Sequence, residues 1–291
     1  MSLLVKFNLI LVICVGIALV PAHLITQDLL QKNARTQVVQ HARLMMQTAL
    51  ATRGYTNKQI KPLLAARLDE EFLPQTVPAY SATEIFNTLR ETHPEYAYKE
   101  ATLNPTNPRD RTVDWEADIV NAFRGDRRLK EIVGERDAPL GRALYLARPI
   151  TITDQGCLSC HTTPEMTPAS VVKRYGTAGG FGWKLNETIG AQIVSVPMAV
   201  PLAMARQAHQ AMLLSLAGVF ALMLVLLNVL LWFTILRPIR RLSRMADAVS
   251  TGNLDVPEVR FKSSDEIGVL AGSFNRMRIS LVKALKMLEE E

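Results

Sequence analysis

The sequence lacks the residue patterns on which most enzyme active sites depend. No catalytic triad, phosphate-binding loop or pair of carboxylates in a plausible pocket can be identified along the 291 residues. Internal repeats and low-complexity tracts are also absent. We therefore expect that the protein is not an enzyme.

Ionisable side chains are missing from one long apolar segment, residues 211–236. As a helix this segment would be roughly 39 Å long, which is enough to cross a hydrocarbon core of about 30 Å with some tilt. We predict a transmembrane helix there. The chain is 48% hydrophobic, which fits a few membrane helices and one soluble domain better than a multi-span transporter.

The positive charge is concentrated directly after this segment. A formal net charge of +6 could indicate a nucleic-acid partner, but four arginines crowd together at Arg237, Arg240, Arg241 and Arg244. Clustered arginine on one flank of a span marks its cytoplasmic side. We therefore predict no nucleic-acid partner, a cytoplasmic location for the chain after Arg237, and an extracytoplasmic location for the residues before the span.

A first apolar segment covers residues 3–24, with Lys6, Asn8 and His23 as its polar positions. Its length fits either a membrane span or a signal peptide, and Val20, Pro21 and Ala22 could form a cleavage site. A helical pattern continues beyond it, which favours a retained span. Both readings leave about 186 residues, 25–210, outside the cytoplasm, enough for one domain with its own core.

The first part of that domain has the pattern of one long helix. Residues 24–53 contain neither proline nor glycine, and their apolar side chains recur at helical spacing. Gly54 is expected to end the helix. The stripe consists of Leu30, Ala34, Val38, His41, Met45 and Ala49.

Further along, the pattern predicts a mixture of helices and strands. Residues 74–108 contain several prolines and the run NPTNPRDR, so regular structure is hard to place there. Residues 113–123 look like a short helix, and residues 176–183 form a loop dense in glycine. Strands are predicted at residues 142–151 and 190–196, and residues 197–210 should begin the helix that enters the second span.

Cys157, Cys160 and His161 form the sequence CLSCH, the c-type haem attachment signature. Two thiols three residues apart can form thioethers with the two vinyl groups of one porphyrin, and the adjacent histidine can then bind the iron. We predict one covalently bound haem c as the cofactor.

The same CxxC spacing also occurs in dithiol redox pairs and in halves of zinc sites. Zinc would need two further ligands, and neither a histidine pair at positions i and i+4 nor another cysteine outside the apolar segments is present. A thioredoxin-like dithiol would normally begin a helix after a strand and would not need the histidine.

The sixth iron ligand could be His41 or Met45, which lie four residues apart on the stripe of the first helix. Methionine is a known partner of c-type haem. Each could also be an ordinary packing residue, and an open or solvent-ligated iron is a further alternative. Arg142 and Arg148 could pair with the haem propionates, although a solvated strand edge explains them equally well.

With LARPI before CLSCH, YGTAGGFGWKLNE after it and NPTNPRDRTVDWE upstream, residues 42–198 resemble a bacterial and cyanobacterial family of extracytoplasmic haem sensors. The resemblance implies a PAS-like fold and a single c-type haem, with thioethers at Cys157 and Cys160 and proximal ligation by His161. Some members have a distal cysteine on an early helix. This sequence has no cysteine in residues 25–155, so thiolate ligation does not transfer.

RPIRRLSRMADAVSTGNLDVPEV followed by DEIGVLAGSFNRM resembles a HAMP domain. The first helix would start at Pro238 and would turn Ile239, Leu242, Ala246 and Val249 inward, and the second would open at Asp265. The resemblance implies a parallel four-helix bundle formed by two chains. The alternative is an amphipathic helix pair that merely caps the membrane segment.

The expected architecture is therefore α+β: a PAS-like extracytoplasmic haem domain (residues 25–210) between two transmembrane helices (residues 1–24 and 211–236), followed by an α-helical HAMP domain (residues 237–291). We expect a bacterial inner-membrane homodimer whose haem reports a redox change or a small gas. Because the chain reaches only a few residues beyond the second HAMP helix, the output is expected from a separate cytoplasmic partner, such as a kinase, a cyclase or a chemotaxis-type protein. The alternatives are a membrane-anchored electron carrier and a receptor whose haem is only structural.

Overall fold

The computed structural model describes residues 1–67, 70–253, 255–259 and 265–289. The chain divides into two compact units. One unit is Thr26–His209, and the other combines Met1–Ile25 with Gln210–Glu291. Two helical stretches, Leu4–Arg67 and Ala199–Ser250, are long and apolar enough to cross a membrane, with mean hydropathies of 2.6 and 2.7 in their most apolar windows.

Helix α1 extends over Leu3–Tyr55, which confirms the prediction of one long helix. The predicted helix end at Gly54 is wrong. Gly54 keeps a helical backbone without a positive φ and therefore does not act as a cap. The α-helical hydrogen bonding instead changes at a π-turn, Thr56–Ile60, before the short helix α2, Lys61–Leu64. Pro62 has no N–H to donate to the residue four positions earlier, which accounts for the change at this point.

The Thr26–His209 unit contains one antiparallel sheet of four strands: β1 (Ala97–Thr102), β2 (Ile132–Ala138), β3 (Gly141–Thr151) and β4 (Thr188–Pro197). Their spatial order is β1-β4-β3-β2, which places the last strand between the first and the third. The predictions of β3 and β4 are confirmed. Strands β1 and β2 were not predicted.

Helices cover both faces of this sheet. On one face, α1 buries Val38, Ala42 and Met46 against Leu146 and Val194. Helix α3, Pro78–Thr92, packs beside them, and its Phe86 ring stacks on Tyr98 at a centroid distance of 4.8 Å.

The opposite face of the sheet is covered by α4, Asp114–Gly125, which confirms the predicted short helix. Its Val120 and Phe123 bury against Ala147 and Ile193. Since Ile193 and Val194 are neighbours on β4, the alternation of side chains along one strand supplies both cores. An α+β domain with a sheet buried on two sides is the result.

Helix α7 (Ala199–Leu231) begins in the Thr26–His209 unit and continues into the other unit. There it runs through a π-turn (Trp232–Leu236) into α8 (Arg237–Ser250), and α9 covers Glu266–Glu289. Pro238 lies in the first turn of α8, as predicted. The Asp265 carboxylate accepts hydrogen bonds from the N–H groups of Ile267 and Gly268 and so caps α9.

Helices α8 and α9 share a small core. Leu242 and Val249 are buried against Phe274, whereas Ile239 of the predicted inner stripe is 39% exposed. Asn275 both donates to and accepts from the backbone of Val259, which ties the connecting segment to α9. The face that remains open includes Ile239, Leu270 and Met277.

Candidate functional site

Cys157, Cys160 and His161 lie together on one short helical segment. The Asp154 carboxylate accepts a hydrogen bond from the Gly156 N–H at 2.8 Å and starts a 3₁₀ turn, which passes into α5, Leu158–His161. Both cysteines are half-buried free thiols. Positions three apart on a helical turn face the same side, so both sulfur atoms can be reached by one ligand.

His161 is held in one orientation and one tautomer. Its Nδ1 lies 2.7 Å from the carbonyl oxygen of Gly180, which can only accept, so Nδ1 carries the proton. The lone pair is then on Nε2. Burial lowers the pKa of His161, although the bond to Gly180 opposes this effect, so the imidazole is neutral and able to bind a metal.

The imidazole also has an aromatic neighbour, Trp183. The two rings are nearly parallel, with centroids 3.8 Å apart and an interplanar angle of 15°. The backbone N–H of Trp183 donates a hydrogen bond to the backbone carbonyl of His161 at 3.1 Å and so connects the glycine-rich loop to the end of α5. By contrast, the Trp183 Nε1 atom is buried and has no acceptor among the residues that the structure describes.

The position of the Gly180 carbonyl depends on a close backbone approach. The Gly180 N–H donates to Asn104 Oδ1 at 3.1 Å, and Asn104 Nδ2 donates to the Phe181 carbonyl at 3.0 Å. Gly180 has φ +84°, and an added Cβ would lie 1.9 Å from Thr106 Oγ1. Only glycine fits here, so the glycine-rich loop and the NPT turn pack directly against each other and together position the Gly180 carbonyl.

A largely buried polar cluster consists of Arg53, Tyr98, Glu100 and Gln192, and the charge of Arg53 acts on Cys157. The Glu100 carboxylate forms an ion pair with Arg53 and accepts a hydrogen bond from the Tyr98 hydroxyl at 2.7 Å. Gln192 Nε2 in turn donates to the Tyr98 oxygen at 3.1 Å. The cluster therefore links α1, β1 and β4.

Electrostatics connect this cluster to the cysteine. Burial and the Asp154 carboxylate raise the pKa of Cys157, whereas the charges of Lys61 and Arg53 oppose the rise. Burial and Glu100 raise the pKa of Tyr98, so its phenol stays protonated. Burial alone would lower the pKa of Arg53, but Glu100 and Tyr98 outweigh it and the guanidinium remains charged.

The two predicted candidates for the sixth ligand lie further back along α1. The His41 ring packs on Tyr96 at 5.4 Å, and Met45 is buried in the core with Phe86. His41 lies twelve residues before Arg53, the α1 residue whose charge acts on Cys157, and this separation is roughly 18 Å along a helix. The described contacts do not bring His41 or Met45 to His161.

Arg142 and Arg148 both pair with carboxylates of the protein. Arg148 donates to Glu131 at 2.9 Å, and Arg43 donates to the same carboxylate. Both arginines lower the pKa of Glu131, against the effect of its burial. Arg142, at the start of β3, pairs with Glu135 at 2.8 Å. The end of β3 that leads to Cys157 is nine residues away from Arg142, roughly 30 Å along a strand.

Sequence reasoning did not single out the residues that position His161, namely Asn104, Thr106, Gly180 and Trp183. The runs NPTNP and GGFGW contained the signal, because turn residues and clustered glycines indicate close backbone approaches. The spacing gave no indication that the two runs meet. Within the described ranges, no group of three or more His, Cys, Asp or Glu side chains could hold a bare metal ion.

Comparison with known proteins identifies both parts of the chain. Residues 230–283 match the HAMP domain, so the chain is a signal-transduction protein. Residues 31–197, more than half of the chain, match the Tll0287-like family, and the chain belongs to this family.

The chain is similar to a solved structure, the crystal structure of the cyanobacterial haem-protein Tll0287. The sequence identity is 17% and the TM-score is 0.39, over 51% of this chain and 92% of that one. No curated protein matches the chain.

Proposed function

We propose that the protein is a membrane-anchored, non-enzymatic sensor that carries one covalent c-type haem and passes its state to a cytoplasmic partner. The observation that carries this proposal is His161, whose Nδ1 proton is engaged by Gly180 while Nε2 is left for a metal. Cys157 and Cys160 precede it on the same turn, with the spacing that haem attachment requires.

The residues around the site fit a haem. Two free thiols and a neutral imidazole are the donor set of c-type attachment. The buried Trp183 Nε1 has no acceptor among the described residues, and an unsatisfied buried donor of this kind costs about 1–3 kcal/mol. A carboxylate such as a haem propionate would satisfy it. When bound, the haem would supply an iron that changes oxidation state or binds a small gas.

The chain's own residues would then fix the iron ligand and shield it. Gly180 orients the His161 ring and raises its basicity as a ligand, while Trp183 blocks rotation of the imidazole. Arg53, whose charge acts on Cys157, is neutralised by Glu100, so a change of charge at the haem would act on this pair.

The domain order follows from the same proposal. Residues 25–210 form the haem domain, for which we propose a PAS-like fold because the first strand pairs with the last. Residues 1–24 and 211–236 would be membrane spans, with the haem domain in the periplasm and residues 237–291 in the cytoplasm. The arginines after the second span support this orientation.

Covalent attachment is tested by substituting both thiols, Cys157→Ala with Cys160→Ala. The unmodified protein should keep its haem-dependent peroxidase stain on a denaturing gel, and the variant should lose it. Cys14→Ala is the matched control, since this third cysteine lies in the first apolar segment. Haem that is lost from the unmodified protein on denaturation would refute the assignment.

Topology is tested with reporter fusions. A periplasmic reporter joined near Ala169, at the start of α6 (Ala169–Tyr175), should be active, and a cytoplasmic reporter joined after Glu291 should also be active. The reverse pattern would contradict the orientation drawn from the arginines.

Dimerisation through HAMP is supported by the apolar face left open between α8 and α9. A second copy would cover Ile239, Leu270 and Met277 in a four-helix bundle. Chains that carry Leu242→Cys or Val249→Cys, in a Cys14→Ser background, should form intermolecular disulfides at a rate that depends on haem oxidation state. Absence of crosslinking would deny the dimer, and a rate that ignores the haem would deny transmission through this bundle.

A further inference from the structure

Four arginines form one continuous face at the start of α8. Arg237, Arg240, Arg241 and Arg244 have the spacing i, i+3, i+4 and i+7, which places them on the same side of a helix. All four are exposed. Within the part of the chain that the structure describes, none of them forms an ion pair with a carboxylate. Their charge is therefore available to a ligand.

The π-turn before α8 adds an aromatic ring to this face. In a continuous α-helix, Trp232 would be rotated roughly 140° away from Arg237, five residues later. The wider π-turn over Trp232–Leu236 makes five residues a little more than one turn and reduces this angle to roughly 50°. Accordingly, the guanidinium carbon of Arg240 lies 5.0 Å from the centre of the Trp232 ring.

Together these residues line a cavity. Its walls are Trp232, Arg237, Arg240, Ser243 and Arg244. The three guanidinium groups can only donate hydrogen bonds, the Ser243 hydroxyl can donate one, and the indole supplies an apolar surface. Such a set suits a tetrahedral anion joined to an apolar group.

The position in the chain indicates the source of the anion. The cavity directly follows the uncharged residues 211–236, and tryptophan with arginine at the end of such a run is typical of the headgroup level of a membrane. We propose that the cavity binds the phosphate group of an anionic phospholipid. A zwitterionic lipid is disfavoured because its ammonium group would approach the arginines.

This proposal goes beyond the haem-sensing function and does not depend on the haem, although it requires α7 to lie in the membrane. The test uses the full chain in mild detergent and measures binding of phosphatidylglycerol and phosphatidylcholine by native mass spectrometry. We expect phosphatidylglycerol to bind at least five-fold more tightly, since each arginine near a membrane surface contributes roughly five-fold.

Variants then separate the cavity from general positive charge. Arg240→Gln should weaken phosphatidylglycerol binding roughly five-fold, and Trp232→Leu should weaken it roughly two- to five-fold. Arg241→Gln is the matched control because it removes the same charge from the same face without lining the cavity. Equal losses for Arg240→Gln and Arg241→Gln, with none for Trp232→Leu, would overturn the proposal.

Two further measurements distinguish the lipid from soluble phosphate and test whether lipid binding is independent of haem. Sodium phosphate at constant ionic strength should not displace phosphatidylglycerol at millimolar concentration. Displacement would indicate a site for soluble phosphate and would refute the lipid assignment. The Cys157→Ala, Cys160→Ala variant should bind phosphatidylglycerol normally, so failure of haem attachment and failure of lipid binding can be distinguished. A chain that stays soluble without detergent or lipid would overturn the proposal.

Discussion

Each of the two units contains a polar contact between side chains that are distant in the sequence, and the two contacts differ in charge. In the Thr26–His209 unit, the Glu100 carboxylate is held by Arg53 and Tyr98. In the helical unit, Asn8 and Asn228 exchange two hydrogen bonds of 2.8 Å between apolar helices. The first contact depends on opposite charges, and the second is neutral.

The surroundings explain the difference. A buried carboxylate needs several donors, and the sheet domain provides them from Arg53 on α1 and Tyr98 on β1. The partners of the asparagine pair are side-chain amides and backbone carbonyls. Each asparagine also donates to the carbonyl four residues earlier, Leu4 for Asn8 and Leu224 for Asn228, so the pair satisfies itself without a net charge. A polar contact is therefore matched to the donors that its environment can supply.

The largest expected effect comes from removing the buried carboxylate. Glu100→Ala leaves Arg53 without its partner and the Tyr98 hydroxyl without its acceptor, and should reduce the free energy of unfolding of this domain by about 3 kcal/mol. The measurement is thermal and denaturant unfolding of the full chain in detergent. Arg35→Ala, which removes an exposed ion pair with Glu135, is the control and should cost less than about 1 kcal/mol. Similar losses for both variants would erase the distinction between buried and exposed charge.

Removing the charge of a second carboxylate in the same domain, Asp110, should stabilise the protein instead of destabilising it. Burial, together with Glu100, raises the pKa of Asp110 to about 6, while Arg109 opposes this effect. Between about pH 4 and pH 6 the folded chain keeps a proton that the unfolded chain has released, so stability falls as the pH rises through this window. Asp110→Asn should therefore stabilise the protein by about 1–2 kcal/mol at pH 7.5 and have little effect below pH 4.

The Asp110 prediction is checked by melting temperatures at several pH values. The loss of stability between pH 4 and pH 6 should be smaller in the variant than in the unmodified chain. An unchanged pH dependence would mean that Asp110 is not the group that titrates in this range.

The smallest effect is expected for the neutral pair. In a double-mutant cycle of Asn8→Leu and Asn228→Leu, the coupling energy should be about 0.6 kcal/mol, because polar contacts between membrane helices are individually weak. The cycle is read from melting temperatures of the full chain in detergent. A coupling as large as the loss in Glu100→Ala would show that charge is not what separates the two contacts.

Features formed by one short run of residues could be predicted from the sequence, whereas features formed by residues far apart in the sequence could not. CLSCH, the arginine cluster and the HAMP pattern each lie within a short run. Strand β1 was missed because Lys99 and Glu100 interrupt its apolar pattern, and Glu100 is buried only because Arg53, 47 residues away, neutralises it. Strand β2 was missed because it is an edge strand whose half-exposed residues do not alternate.

The residues that position His161 could not be predicted either, because they are far apart in the sequence. Asn104 and Gly180 meet across 76 residues, and no local propensity encodes that distance. Gly54 was misread as a helix end because glycine is common at caps, although the same residue can stay within a helix at modest cost.

The strand order also sets a sequence of events during biosynthesis. Strand β4, one of the two central strands, is the last of the four to be synthesised, and it must pair with both β1 and β3 before the four-stranded sheet is complete. Long-range pairing of this kind is slow compared with the formation of local turns. Cys157 and Cys160 precede β4, so both thiols emerge while the domain is still open. Both thiols are therefore accessible on a nascent chain before the four-stranded sheet is complete.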